Sequence, residues 1–223
     1  MIKPRFSWHL AIVVVSAVAV AALLVWLSQT SGGGEEEVRE LFADIPQNGA
    51  MLGSEDAPVT IYLYEDLQCP SCARFARETF PELVGRYVES GEVKVVPETL
   101  AILGRDSVPA AKAALAAGGQ NRYWEYSTLF FLNQGRENSG YVTDEFLTNI
   151  AQKTPGLDVD RWNEARESDA VQSELDAAQA SARDEGIEGT PTLVVSGPGG
   201  TSKLVGAVPI DRVAAEIDEV RSS

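Results

Sequence analysis

The chain has 223 residues, room for one fair-sized domain or two small ones, with 33 acidic against 18 basic side chains and a formal net charge of −15. All 33 acids follow Gly34, whereas Lys3 and Arg5 precede it, so the acidic surplus belongs to the later part. That balance argues against nucleic acid and an anionic membrane surface as partners, and solubility explains it more simply than an acidic docking face does.

Residues 10–27 form an uncharged apolar run of 18 residues. As a helix it would span about 27 Å, close to a bilayer's hydrocarbon core. Trp8 and Trp26 flank it, Lys3 and Arg5 precede it, and Glu35, Glu36 and Glu37 carry the first charges after it. The positive-inside rule then puts the N-terminus in the cytoplasm and the rest outside the membrane. A cleaved signal peptide is the competing reading, but it calls for a shorter run ending in small residues, and Ser28-Gln29-Thr30 follows here. Either way the domain faces an oxidising compartment. Residues 1–34 are therefore read as a membrane anchor plus a glycine tether, which the repelling glutamates extend.

Residues 38–54 show no clear period and are assigned an arm or a short edge strand. Residues 59–64, Val-Thr-Ile-Tyr-Leu-Tyr, read as a strand, followed by a helix with Phe75, Phe80, Leu83 and Val84 on one stripe. Pro81 is expected to kink or break it, and Gly91 to end it. Residues 93–96 form a second strand. From Asp106 to Gly186 the pattern is helix upon helix, with Thr143 and Asp158 as N-caps and Tyr123, Trp124, Phe130, Phe131 and Trp162 as core aromatics. Residues 192–195 and 203–205 make a hairpin around the Ser-Gly-Pro-Gly-Gly turn, and a terminal helix starts near Pro209. The order is mixed α/β, divided as 35–105, a helical insertion 106–186, and 187–223.

Cys69 and Cys72, the only cysteines, sit in Cys69-Pro70-Ser71-Cys72 between a strand and a helix. The first cysteine is thereby placed at a helix N-terminus, where orphan N–H groups and the dipole favour a thiolate. Three uses compete. Zinc needs four ligands, and the one histidine, His9, lies beside the apolar run. A structural disulfide closing so short a loop would add about 2 kcal/mol, against about 4.7 for a loop of about 100 residues. Redox exchange explains the spacing, because the second thiol must reach a mixed disulfide formed on the first. A second element, Gly189-Thr190-Pro191-Thr192, brings a proline to a strand entrance, which marks an edge, a bulge or a cis bond.

Together, Ala57-Pro58-Val59-Thr60, Asp66-Leu67-Gln68-Cys69-Pro70-Ser71-Cys72 and Gly189-Thr190-Pro191-Thr192 resemble the DsbA-like branch of the thioredoxin superfamily, particularly membrane-tethered BdbD-type proteins. The resemblance runs from about Gly53 to the C-terminus and includes Asn121-Arg122-Tyr123-Trp124-Glu125-Tyr126. It implies a thioredoxin fold with an inserted all-helical domain, preceded by one transmembrane helix. It also implies an exposed nucleophile at Cys69, a shielded partner at Cys72, and a cis Thr190-Pro191 peptide beside them that keeps metal ions away. Pro70, Ser71, Thr190 and Pro191 would contact substrate. The expected activity is disulfide donation to exported cysteine-containing proteins by an extracytoplasmic enzyme, with reoxidation by a membrane redox partner. No cofactor beyond the Cys69–Cys72 disulfide is assigned and no metal site, although the many carboxylates leave room for a weak calcium site. A reductase or isomerase of the same fold, or an anchored peptide-binding module with no enzymatic role, are the alternatives. Two departures stand out. Many relatives place an acid six positions before the first cysteine, where this chain has Leu63, and Glu65 and Asp66 read as turn residues. Ser71 replaces the histidine of strongly oxidising relatives.

Overall fold

The computed structural model describes residues 33–222; the apolar run 10–27, and with it the expected anchor, lies outside the described residues. Among the described residues no helix is long and apolar enough to cross a membrane. Helix α1 (Gly33–Phe42) comes first, with Glu35 and Glu36 in its first turn, where they complement the positive helix end. Val38 and Phe42, one turn apart, bury one edge of it. The tether expected through Gly33, Gly34 and the glutamates is helical instead, because that apolar edge gives the acidic turn a surface to pack on. The short strands β1 (Gln47–Asn48) and β2 (Met51–Leu52) then pair as a hairpin.

Strand β3 (Val59–Asp66) is central in a sheet ordered β1-β2-β4-β3-β5-β6. It runs parallel to β4 (Val93–Leu100) and antiparallel to β5 (Thr192–Gly197), which pairs with β6 (Gly200–Val205). β3 and β4 are each longer than the sequence suggests. β4 continues through Pro97, which pairs opposite Leu63, while β2 meets β4 only at Val95. The missing N–H of Pro97 is therefore tolerated on the side without a ladder. Alternate residues of β3 face opposite layers. Val59, Ile61 and Leu63 join the main core, whereas Tyr64 packs with Val194, Ala178 and Ala182.

Helix α2 (Pro70–Glu78) leaves the sheet and, as Pro81 suggests, breaks into α3 (Phe80–Leu83) and a π-helical turn, Val84–Val88. The inserted block comprises α4 (Ser107–Gly118), α5 (Tyr123–Leu132), α6 (Asp144–Lys153), α7 (Val159–Ala165) and α8 (Asp169–Asp184); α9 (Ile210–Arg221) closes the chain. Thr143, Asp158 and Ser168 cap α6, α7 and α8 through their side chains. The block shares one continuous core with the sheet. Trp124 of α5 stacks on Phe80 at 4.7 Å and donates its indole N–H to Ala50 O at 2.7 Å. Trp162 of α7 donates to Ala113 O at 2.8 Å. Trp162→Ala removes a fully buried side chain and that hydrogen bond, so urea unfolding should show a loss of about 3–5 kcal/mol with no change in the titration of Cys69.

Candidate active site

β3 ends at Asp66, and Leu67 and Gln68 turn the chain into α2. Pro70 occupies the first helical turn, where its missing N–H costs nothing, so Cys69 becomes the N-cap. Its Sγ accepts the N–H of Cys72 at 3.4 Å. Both thiols are free in this structure. Cys72 is wholly buried and Cys69 is 6 % exposed, so the sulfur expected at the surface is the more open of the two yet largely covered. The covering element is the Thr190-Pro191 peptide, which is cis. The Cys69 thiol donates to the Thr190 carbonyl at 3.3 Å, so 121 residues of sequence separation close to one contact. Pro70 is exposed, Ser71 and Thr190 are half-buried, and Pro191 is buried.

The two sulfurs titrate in opposite directions. A hydrogen bond from the Cys72 side chain is the largest influence bringing Cys69 down to about 6. Burial opposes it, and the Thr190 side chain and the N–H groups of Cys72 and Ser71 assist. Burial, joined by the hydrogen bond to Cys69 and the nearby Glu65 carboxylate, pushes Cys72 well above its ordinary value.

Residues that the sequence did not mark hold the turn in place. Gln134 Nε2 donates to the carbonyls of Leu67 (2.7 Å) and Cys69 (3.2 Å). Gln68 donates to the Tyr141 hydroxyl and accepts the Asn138 N–H, both at 3.0 Å. Glu65 and Asp66 lie in β3 and are buried, which corrects their reading as turn residues. Asp66 is spent on structure, accepting from Gln68, Ile102, Leu103 and Ser107. Glu65 is different. Its Oε1 accepts from the Tyr123 hydroxyl at 3.1 Å, and burial raises it to about 8 against that hydrogen bond. With Leu63, Phe75 and Ala76 it lines a cavity of about 10 Å³, the size of one water. Leu63 thus leaves its position without an acid, and Glu65 supplies one two residues later on the same side of the strand. Strict alternation from Ile61 and Leu63 was the available signal.

A family model described as Thioredoxin matches residues 46–204. The chain belongs to the thioredoxin family. Within it, the probable disulfide bond formation protein D of Bacillus anthracis is 26% identical over 166 residues, covering 73% of this chain and 76% of that relative. The structure of oxidised BdbD from Bacillus subtilis superposes with a TM-score of 0.68 at 23% identity, covering 76% of this chain and 91% of that one. A thioredoxin-like oxidoreductase from Silicibacter pomeroyi gives 0.64 at 28% identity, over 83% and 98%. The chain is a DsbA-like protein disulfide oxidoreductase.

A groove of about 480 Å³, lined by Val38, Leu41, Ala76 and Val84 among others, lies toward the far end of α2 and includes neither cysteine. The titration of Cys69 gives a direct check. Its value in the fold lies below the unfolded value of about 8.5, so the dithiol form gains stability as pH rises between the two and loses it as pH falls through about 6. Thiolate ultraviolet absorbance of the reduced protein should show a midpoint near 6, and the stability difference between dithiol and disulfide forms should shrink below it.

Proposed function

We propose that the enzyme is an oxidase that passes the Cys69–Cys72 disulfide to cysteine pairs in exported proteins. In this reading residues 10–27 anchor it in the cell membrane, its catalytic domain faces away from the cytoplasm, and a membrane partner reoxidises it. The observation that carries the exchange chemistry is the geometry of the pair, with Cys69 as the N-cap accepting the Cys72 N–H, Cys72 wholly buried one turn in, and the buried acid Glu65 close by.

A substrate thiolate attacks Cys69 Sγ. The substrate–Cys69 bond forms as the Cys69–Cys72 bond breaks, and Cys72 leaves with the electron pair. A thiolate so deeply buried needs a proton, and Glu65, at about 8, is about nine-tenths protonated at neutral pH and can supply it. The second substrate thiolate then attacks the substrate sulfur of the mixed disulfide and releases Cys69 as a thiolate. The substrate is oxidised by two electrons and the pair is reduced by two. Thr190, Pro191, Pro70 and Ser71 frame the sulfur under attack and are assigned to hold the substrate segment.

Lowering Cys69 to about 6 favours the reduced form about tenfold at pH 7, or about 30 mV on a two-electron couple. That makes a mild oxidant. Ser71 brings no positive charge to the thiolate, and the value sits closer to thioredoxin's, about 7, than to the most oxidising member's, about 3.5. This observation gives the reductase or isomerase reading its standing as second choice.

Cys72→Ser should accumulate mixed disulfides between Cys69 and exported proteins, seen as adducts on non-reducing gels that vanish with reductant. Equilibration of the wild type with glutathione decides the direction. A potential well above about −270 mV supports the oxidase, and one near it turns the assignment to reductase. If a variant lacking both cysteines retains full activity in cells and Cys72→Ser gives no adducts, the protein is a binding module.

A further inference from the structure

The helical insertion contributes one side chain to the buried acid. Tyr123, at the start of α5, donates to Glu65 Oε1 at 3.1 Å and shares a hydrogen bond of 2.7 Å with Thr99 Oγ1 of β4. All three side chains are buried, and an edge-on contact with Trp124 at 5.3 Å holds the Tyr123 ring. A carboxyl in such a place changes its needs as it titrates. The carboxylate requires donors, whereas the neutral acid has a proton of its own to place. A lysine or arginine would satisfy only the charged form. Two hydroxyls in series satisfy both. With Glu65 ionised the donors run from Thr99 to Tyr123 to Glu65; with Glu65 protonated the same chain reverses, the acid donating to the phenol and the phenol to Thr99. The Glu65 Oε1–Tyr123 hydrogen bond is kept in both states.

We propose that Tyr123 is a positioning residue for the proton step, a reversible hydroxyl from the insertion that, with Thr99, keeps Glu65 hydrogen-bonded in both of its protonation states. This rests on the reading of Glu65 as proton partner of Cys72. The groups that influence Glu65 are Cys69 and Cys72 of α2, Asp66 beside it on β3, and Tyr123 of α5. The step concerned is resolution of a mixed disulfide on Cys69. The Cys72 thiol gives its proton to the Glu65 carboxylate, and the Cys72 sulfur attacks Cys69 Sγ. The Cys69–Cys72 bond forms, and the displaced thiolate leaves with the electron pair of the broken bond.

The test uses the full chain carrying glutathione on Cys69, with release of glutathione followed by rapid mixing across pH. In the wild type the rate should rise with ionisation of Glu65. Tyr123→Phe removes a hydrogen bond that is stronger to the carboxylate than to the neutral acid, so the rising limb should move up by about one pH unit and release at neutral pH should slow about tenfold. The Cys69 titration should stay near 6. Thr99→Val should move the limb the same way by less, and it carries the test if Tyr123→Phe does not fold. Glu65→Gln should abolish the limb. If Glu65→Gln abolishes it while Tyr123→Phe and Thr99→Val leave it in place, the role of Tyr123 is overturned and that of Glu65 stands. If Glu65→Gln keeps the limb, the Glu65 reading itself fails. A variant that merely unfolds at lower urea with its limb unmoved also overturns the proposal.

Discussion

Asp66 accepts hydrogen bonds from Gln68 N–H and Ser107 Oγ on one carboxylate oxygen, and from Ile102 and Leu103 N–H on the other. Those donors belong to three separate pieces of chain: the turn that carries Cys69, the exit from β4, and the first residue of α4. Asp66 is buried, and shielding from water strengthens each of these bonds. The point where the active-site turn begins is thereby fixed to the point where the insertion begins. That joint and the core shared by the sheet and the helical block set where Gln134 and Tyr123 meet the site.

Much of this was legible from local patterns. A cysteine pair bracketing a proline, between a β-branched run and an apolar stripe of helical period, specifies an N-cap thiol without tertiary information. The proline at residue 191, entering a strand, announced the opposite wall. Gln134, Asn138 and Tyr141 could not be read in this way, because their partners lie 65 or more residues away. The end of β3 was misjudged for a related reason. Glutamate and aspartate after a tyrosine look like turn residues, and only the buried surroundings of the strand end turn them into interior groups. Tyr123 reads as core from the sequence, and its ring is core; its hydroxyl gives no signal of its own there. Helix α1 was hidden by its glycine start and dense charge, since its stability comes from Val38 and Phe42 meeting a core formed elsewhere.

The electrostatics of the site follow from depth along one short helix. Cys69 at the cap meets N–H groups and the Thr190 carbonyl, while Cys72 one turn in is wholly buried beside an acid. One residue type thus becomes a leaving group at the cap and a group that resists leaving one turn in. Placing a neutral carboxylic acid next to the second sulfur offsets that resistance without introducing a cation into the core.

The clamp on the active-site turn is built from two side chains, Gln134 and Tyr141, and the backbone N–H of Asn138 in the connection between α5 and α6, a stretch that contributes no strand to the sheet. Its members can therefore be exchanged without altering the pleat, the strand order or the spacing of the cysteines. A change in that loop would act on how firmly the active-site turn is held, and would leave in place the groups that set the two thiols apart: Thr190, the first N–H groups of α2 and Glu65.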